Sequence, residues 1–216
     1  MEETLTGGSL TRSEGFSAHD LLKIREIGDL RAPRPLPSWV ETSLELVPWV
    51  VVRRCLSHQG MIPVGIRGNS REQRFAAFLP REAILVRITP EQLVSRFHTI
   101  DPARSRMIAA LQHVDSVNRI LSGIGWGPTG SIGFEIATGF PCARTDSDLD
   151  ILIRVAREFD QDLLRRVGLE LSARGPVRTD VLVETRGGAF ALSEWMRGVR
   201  PILLRSLTGP KLVNAV

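Results

Sequence analysis

Three aspartates at alternating positions, Asp146, Asp148 and Asp150, lead into the aliphatic segment LDILI in the second half of the sequence. Side chains two positions apart on a β-strand project from the same face, about 7 Å apart, so carboxylates at this spacing repel one another unless a cation lies between them. Carboxylate oxygens are also the ligands that divalent cations prefer. The spacing of Asp148 and Asp150 therefore predicts a metal site. An acidic surface turn before a buried strand is the competing interpretation.

A further carboxylate, Asp180, lies in the segment RTDVLVE, whose alternating apolar residues predict a second strand. The alternation places Asp180 and Glu184 on the face opposite Val181 and Val183. If this strand pairs with the strand that carries the D-x-D motif, three carboxylates converge. Asp180 is our candidate for the third carboxylate and Glu184 is its rival, while a solvated edge strand is the alternative.

Gly130 and Ser131 precede the helix-like segment SIGFEIATG. A glycine lets the backbone approach a phosphate closely, and a serine at the start of a helix offers a hydroxyl beside free backbone N–H groups and the positive end of the helix dipole. The pair therefore predicts an anion-binding turn. An ordinary serine cap after a glycine turn explains the same residues without a ligand.

Together these residues supply what phosphoryl or nucleotidyl transfer requires. Metal ions neutralise a triphosphate, the glycine-serine turn holds it, and the carboxylates position the metals and an attacking hydroxyl in line with a pyrophosphate leaving group. No covalent protein nucleophile is needed. We therefore expect Mg²⁺ or Mn²⁺ bound by Asp148, Asp150 and Asp180.

The elements that must position this constellation alternate between strand and helix, which predicts an α/β (α+β) fold with a mixed sheet covered by helices. A strong helical pattern over residues 101–123 begins with Asp101 as its cap and Pro102 at the first position. The remaining predicted elements of this half are strands at 149–154, 178–184 and 201–207 and helices at 158–173 and 194–197. We expect residues 101–216 to form the catalytic domain.

The sequence pattern of the first half of the chain predicts a smaller α+β domain over residues 18–100, preceded by a loose extension at residues 1–17. Ser17 is expected to cap a short helix that includes Leu21. The β-branched segments at 48–54 and 61–68 predict an antiparallel pair, and residues 83–89 predict a third strand. Thr89, Pro90 and Gln92 form the sequence pattern of a capping box.

Composition excludes several classes of function. The net charge is +4, but only two of the 28 basic residues are lysines and no basic run occurs. The chain also lacks tyrosine, a common base-stacking residue, so we expect no nucleic-acid partner. Two distant cysteines and four scattered histidines argue against a disulfide framework and a zinc site. The apolar segments are too short to span a membrane and no signal-peptide pattern is present, which predicts a cytoplasmic protein.

The sequence resembles the nucleotidyltransferase superfamily related to DNA polymerase β, whose signature is a Gly-Ser pair, a D-x-D strand and a third carboxylate. The chain also resembles, over nearly its whole length from about residue 17, the malonate decarboxylase-specific phosphoribosyl-dephospho-CoA transferases, which are also called malonate decarboxylase holo-acyl-carrier-protein synthases. The segments that carry it are PWVVVRR, VGIRGNSREQR, WGPTGSIGFEIATG, SDLDIL, LSEW and ILLRSLTGPKLV.

This resemblance implies transfer of 2′-(5″-phosphoribosyl)-3′-dephospho-CoA from its triphosphate form to a serine of the decarboxylase's acyl-carrier subunit, with release of pyrophosphate. It implies that Asp148 and Asp150 are the catalytic metal-binding pair, that Gly130 and Ser131 hold the triphosphate, and that Asp180 helps to deprotonate the attacking serine.

Other arginines are candidate substrate-binding residues. Arg67 and Arg71, together with Arg53, Arg54 and Arg74, are expected either to bind phosphates or the acidic carrier protein, or to be solvated residues of strands and turns. Arg205 is expected to reach the triphosphate from the last strand or to face water.

Two other functions fit the same residues. A nucleotidyltransferase that modifies another protein, an RNA or a small-molecule hydroxyl shares the carboxylate chemistry and differs only in its acceptor. A non-catalytic nucleotidyltransferase-like binding module, such as an antitoxin, would need none of the carboxylates. Intact Asp148, Asp150 and Ser131 weigh against that second alternative.

Overall fold

A computed structural model of the chain describes residues 15–58, 60–70, 72–155, 160–173 and 175–216. The chain divides into two compact units, Met1–Arg87 and Ile88–Val216, and the described residues of each unit contain one sheet. Seven α-helices and eleven strands occur in the described part of the chain, which confirms the mixed α/β class. Of the extension expected over residues 1–17, residues 1–14 lie outside the described residues, and Phe16 packs against the core of the first unit.

The sheet of the first unit has the strand order β4-β3-β2-β1-β5. The pairs β1–β2, β2–β3 and β3–β4 are antiparallel, which confirms the antiparallel pair expected from the sequence. The elements of this unit are β1 (Leu21–Ile24), α1 (Ser38–Leu46), β2 (Trp49–Val52), β3 (Met61–Arg67), β4 (Arg74–Pro80) and β5 (Ile84–Ile88).

The expectation of a helix after Ser17 was wrong, because residues 21–24 form β1. Ser17 and Asp20 instead close a turn, in which the Ser17 amide donates to the Asp20 carboxylate at 3.0 Å and the Asp20 amide donates to the Ser17 carbonyl at 3.1 Å. Leu22 and Ile24 then lie on the buried side of the sheet, with Lys23 opposite. Leu21 is buried as well, and pairing with β2 holds all of residues 21–23 in an extended conformation.

Buried side chains from every second position of β1 to β4 form the core of the first unit, and α1 covers it with Val40 and Leu44. We call this side of the sheet the core face and the other side the outer face. The strand members of the core are Leu22, Ile24, Val50, Val52, Ile62, Val64, Ile66, Phe75, Ala77 and Leu79.

The sheet of the second unit has the strand order β11-β10-β9-β8-β7-β6. Its pair β7–β8 is parallel and its other pairs are antiparallel, so the sheet is mixed. The elements are α2 (Pro90–Arg96), α3 (Pro102–Met107), α4 (Ala109–Ile120), β6 (Trp126–Pro128), α5 (Gly130–Thr138), β7 (Leu149–Arg154), α6 (Gln161–Ala173), β8 (Thr179–Glu184), β9 (Ala189–Ala191), α7 (Leu192–Met196), β10 (Ile202–Ser206) and β11 (Gly209–Val213).

The division between the units falls between Arg87 and Ile88, whereas the sequence pattern suggested residues 100 and 101. The reason is that α2 packs closely on β6: a Cβ atom added at Gly127 would clash with the Pro90 backbone. The predicted capping box starts α2, with the Thr89 amide donating to the Gln92 side chain at 2.9 Å. Helix α2 therefore belongs to the second unit.

The helix predicted over residues 101–123 is interrupted at Ile108, whose backbone is extended. The predicted cap is confirmed, because the Asp101 carboxylate accepts a hydrogen bond from the Ala103 amide at 2.8 Å. At the interruption the Gln112 side chain donates to the Arg106 carbonyl at 2.7 Å, which satisfies an acceptor at the end of α3. None of the helices in the described ranges has the length and apolar character needed to cross a membrane.

His113 on α4 is buried, and among the described residues its Nε2 atom has no hydrogen-bond partner. Burial lowers the pKa of this imidazole below its ordinary value of 6.5, because a buried cation loses its hydration. A histidine with a lowered pKa in the folded state stabilises the fold fully above its unfolded pKa, and that contribution is lost as the pH falls.

We therefore expect the free energy of unfolding to decrease as the pH falls below about 6.5, by at most about 1.4 kcal/mol per pH unit for this single proton. His113→Leu should reduce that slope, because it removes the buried imidazole. Urea unfolding of wild type and variant between pH 7.5 and 5.5 measures the difference. An unchanged slope in His113→Leu would contradict the assignment.

Candidate active site

The turn between β6 and α5 lies directly on the start of β7. Pro128 pairs with Ile151, and the Thr129 amide donates to the Asp150 carbonyl at 2.8 Å. Gly130 has φ +60°, and a Cβ atom placed on it would clash with Oδ2 of Asp150. Only glycine allows this approach, so the first residue of α5 is held against the carboxylate of the D-x-D motif.

Ser131 is the second residue of α5 and is half-buried. Its hydroxyl lies 3.5 Å from the hydroxyl of Ser147, which accepts a hydrogen bond from the Arg144 amide at 2.9 Å. The first amides of a helix have no partner within the helix and carry its positive dipole end. The predicted anion-binding turn therefore lies beside the loop that leads into Asp148.

Asp148 and Asp150 are both exposed, and strand alternation places them on one side of the chain at the start of β7. Asp180 pairs with Asp150 in the parallel register of β7 and β8. Paired residues on neighbouring strands project from the same face, about 5 Å apart. The strand pairing on which the expected convergence of the carboxylates depended is therefore present, with Asp180 beside Asp150.

The rival carboxylate, Glu184, lies four residues further along β8 and pairs with Arg154 instead. The Nε atom of Arg154 donates to Glu184 at 2.9 Å, and Nη1 of Arg154 forms a second ion pair with Glu91. Glu184 is buried, at 7% exposure. Its contacts make it part of a structural ion-pair network, so its position favours Asp180 as the third carboxylate.

The side chains of the three aspartates do not form a complete metal-binding cluster. In the parts of the chain that the structure describes, no group of three or more His, Cys, Asp or Glu side chains could hold a metal ion. One reason is that Arg178 donates to Oδ1 of Asp180 at 2.9 Å, and both side chains of this pair are well exposed, at 71% and 40%. An exposed ion pair of this kind is weak and exchanges readily with solvent.

A buried ion pair that sequence reasoning missed fixes the loop before Asp148. Arg104 on α3 makes two hydrogen bonds to Glu135 on α5, at 2.7 and 3.0 Å. The Glu135 carboxylate also accepts from the Ala143 amide at 2.7 Å, and Arg104 donates to the Ala143 carbonyl. The Glu135 contact raises the pKa of the Arg104 guanidinium. This closed ring holds the loop against both helices.

Glu135 carried a signal that the sequence analysis did not use. It lies between Ile132 and Ile136, on the side of α5 that is buried. A carboxylate at a buried helical position requires a cation or several hydrogen bonds. Its partner, 31 residues earlier, has no local pattern that would identify it.

The predicted substrate-binding arginines lie elsewhere. Arg67 ends β3 in the first unit and is exposed, and Arg71 lies outside the described residues. Arg205 pairs with Ala189 on β9, which in turn pairs with Glu184. The cross-strand pairs of Arg205, Ala189 and Glu184 are about 13 Å, measured along the strands, from the pair Asp150 and Asp180. The register does not bring Arg205 to the aspartates, and its substrate role stays a prediction.

Comparison with protein families gives two matches that together cover most of the chain. The model described as phosphoribosyl-dephospho-CoA transferase MdcG N-terminal domain matches residues 17–90. The model described as phosphoribosyl-dephospho-CoA transferase MdcG C-terminal domain matches residues 92–216. The gap between the two matched ranges lies close to the division between the two units of the structure.

Several curated proteins named phosphoribosyl-dephospho-CoA transferase are similar over nearly their whole length. The protein from Pseudomonas aeruginosa is 35% identical over 207 residues, which is 95% of this chain and 95% of the relative. The protein from Azotobacter vinelandii is 40% identical and covers 91% of this chain and 92% of the relative. The protein from Klebsiella pneumoniae is 38% identical, with 87% and 90% covered. No solved structure matches the chain.

The Arg104–Glu135 pair generates a stability prediction. Arg104→Ala should lower the free energy of unfolding by about 3 kcal/mol, because it leaves a carboxylate buried without its cation. Adding Glu135→Gln should recover part of that loss, since no charge then remains buried. Arg106→Ala, at an exposed position of the same helix, should change stability by less than about 0.5 kcal/mol. Urea unfolding of the four proteins measures these differences, and equal losses for Arg104→Ala and Arg106→Ala would contradict the role.

Proposed function

This chain belongs to the phosphoribosyl-dephospho-CoA transferase family, and we propose that it transfers 2′-(5″-phosphoribosyl)-3′-dephospho-CoA from its triphosphate precursor to a serine of the malonate decarboxylase acyl-carrier subunit. Transferases of this name match both halves of the chain, which supports the donor chemistry. The acceptor is the part of the proposal that comes from the resemblance of the sequence to malonate decarboxylase-specific enzymes.

One observation carries the proposal: the close contact of Gly130 with the carboxylate of Asp150. It places the first free amides of α5, which suit a phosphate, directly beside the carboxylates that suit the cations of a triphosphate. Asp180, in register with Asp150, extends the same surface to the neighbouring strand. A triphosphate held there has its reacting phosphorus next to the aspartates.

In the proposed reaction, the serine oxygen of the carrier attacks the α-phosphorus of the donor. A new oxygen–phosphorus bond forms, the bond to the β-phosphate oxygen breaks, and pyrophosphate leaves with that electron pair. Asp180 accepts the serine proton, and the amides of Gly130 and Ser131 with the Ser131 hydroxyl bind phosphate oxygens. Positioning and charge stabilisation supply the rate enhancement.

Mg²⁺ or Mn²⁺ is part of the proposal, and the oxygen ligands of Asp148, Asp150 and Asp180 fit such hard cations. These three side chains would hold the metal ions, with Asp180 released from its exposed pair with Arg178. A bound divalent cation supplies neutralisation of the triphosphate charge and Lewis-acid polarisation of its oxygens. Among the carboxylates discussed, Glu184 is excluded from this set by its buried pairing with Arg154.

The catalytic assignment is tested by intact-mass spectrometry of the acyl-carrier subunit after incubation with enzyme, Mg²⁺ and the triphosphate donor. Asp148→Asn and Asp150→Asn should each reduce transfer at least about 100-fold, because each removes a carboxylate that positions charge at the reacting phosphate. Asp146→Asn, an exposed neighbour, should retain activity. Transfer should also stop on chelation of divalent cations.

Different results would contradict the proposal in distinguishable ways. A mass increase only when ATP replaces the donor would indicate nucleotidylation of the carrier. Full activity of Asp148→Asn with a normal melting temperature would remove this residue from the site, and transfer unaffected by chelation would remove the metal.

The glycine contact gives a further prediction. Gly130→Ala should reduce transfer at least about tenfold, because its methyl group occupies the space of the Asp150 carboxylate. Gly139→Ala is the matched control: Gly139 also has a positive φ, +72°, but a Cβ atom added there would have nothing within 4 Å. Backbone strain should lower the free energy of unfolding of both variants by about 1 kcal/mol. Although their stabilities are then similar, only Gly130→Ala should lose transfer activity. Equal activity losses would assign the effect to strain alone.

A further inference from the structure

Arg178 is the cation that the structure places at the third carboxylate of the candidate site. It directly precedes β8, and its carbonyl accepts a hydrogen bond at 2.9 Å from the amide of Leu149, the residue between Asp148 and Asp150. Its side chain donates through Nε to Oδ1 of Asp180 at 2.9 Å. The guanidinium of Arg178 is therefore held at a carboxylate that is also a candidate metal ligand.

The contact with Asp180 uses only part of the guanidinium. An arginine side chain carries several N–H donors in a planar fork. In the described part of the chain, the Arg178 side chain makes one hydrogen bond, the bond from Nε to Asp180. The side chain is 71% exposed, and an exposed ion pair of this kind contributes little to stability. The Nη groups of Arg178 are thus accessible to a second anionic partner.

A guanidinium and a divalent cation compete for the Asp180 carboxylate. Two cations that lie against one carboxylate repel each other, and at a separation of a few ångströms this repulsion exceeds the weak attraction of an exposed ion pair. Binding of a divalent cation by Asp180 therefore weakens the contact with Arg178. The released side chain stays near the site, because the Arg178 carbonyl is hydrogen-bonded to Leu149 on β7.

Phosphate oxygens offer the released guanidinium a stronger partner. Arginine binds a phosphate through two parallel N–H donors, which is a stronger and more specific contact than one N–H on a carboxylate. Gly130, at the turn that suits a phosphate, lies against the carboxylate of Asp150, and Asp150 pairs with Asp180 across β7 and β8. The fold therefore places the phosphate-binding turn and Arg178 on either side of one pair of aspartates.

We propose that Arg178 exchanges partners during the reaction. It pairs with Asp180 in the absence of metal and donor, and it binds phosphate oxygens of the donor once Asp180 ligates a divalent cation. The identity of the donor and the need for a metal rest on the proposed function. In its second position the guanidinium offsets the negative charge that develops on the departing pyrophosphate. Arg178 is thus both a competitor of the metal and a ligand of the substrate.

The test measures two affinities that the exchange changes in opposite directions. Arg178→Ala removes the competitor, so Mn²⁺ alone should bind about two- to fivefold more tightly than it binds wild type. The same variant lacks a phosphate ligand, so pyrophosphate at saturating Mg²⁺ should bind at least about tenfold more weakly. Isothermal titration calorimetry measures both affinities. Arg119→Ala, at an exposed arginine of α4, is the control and should match wild type in both.

Other outcomes would overturn the exchange. A purely structural role for Arg178 would weaken the binding of both Mn²⁺ and pyrophosphate. An unchanged affinity for either probe would remove one of the two partners that the exchange requires. Arg178→Lys keeps the positive charge without the planar fork, so it should bind Mn²⁺ as wild type does and pyrophosphate with intermediate affinity. If Arg178→Ala does not fold, an unchanged pyrophosphate affinity of Arg178→Lys would overturn the proposal.

Neither binding measurement requires transfer to a carrier, which separates this inference from the proposed function. In the transfer assay, Arg178→Ala should raise KM for the donor about tenfold and leave KM for the carrier unchanged. Transfer with an unchanged KM for the donor would overturn the exchange while the proposed function stands. Opposite changes of the two affinities, without transfer by wild type, would overturn the proposed function alone. Absence of Mn²⁺ binding to both wild type and Arg178→Ala would overturn the exchange and the metal site together.

Discussion

The packing of Gly130 against Asp150 is the constraint on which the candidate site depends. Because the backbone of the β6–α5 turn hydrogen-bonds to β7, the start of the helix and the start of the strand cannot move independently. The loop between them is fixed at another point by Arg104 and Glu135, which bind Ala143 from two different helices. Two sets of contacts, one of backbone hydrogen bonds and one of buried charge, thus connect the glycine-serine turn to the acidic strand.

The parallel register of β7 and β8 orders the polar residues along that surface. It pairs Asp150 with Asp180 at one end and Arg154 with Glu184 at the other. The first pair is of like charge, and Asp180 has the exposed Arg178 as its cationic partner. The second is of opposite charge and largely buried, which favours the folded state once both partners are present. The same two strands therefore contain a pair suited to binding and a pair suited to stability.

Local patterns were sufficient to predict much of this from the sequence. Alternation identified β2, β3, β7 and β8, the capping box identified the start of α2, and the D-x-D and Gly-Ser motifs identified residues that the fold places in contact. Three features of the structure depend on residues that are distant in the sequence. Residues 21–24 form a strand because β2 pairs with them, and Glu135 is buried because Arg104 reaches it. The position of Arg205 relative to the aspartates is set by two further strand pairings. No local pattern identifies these distant partners.

The separation along β8 has a consequence for how such an enzyme can change. Asp180 and Glu184 lie four residues apart on β8 and differ in burial. Substitutions at Asp180 are therefore expected to affect folding less than substitutions at Glu184, whose buried carboxylate pairs with Arg154. During evolution, the less buried end of this six-residue strand can vary more freely than its buried end.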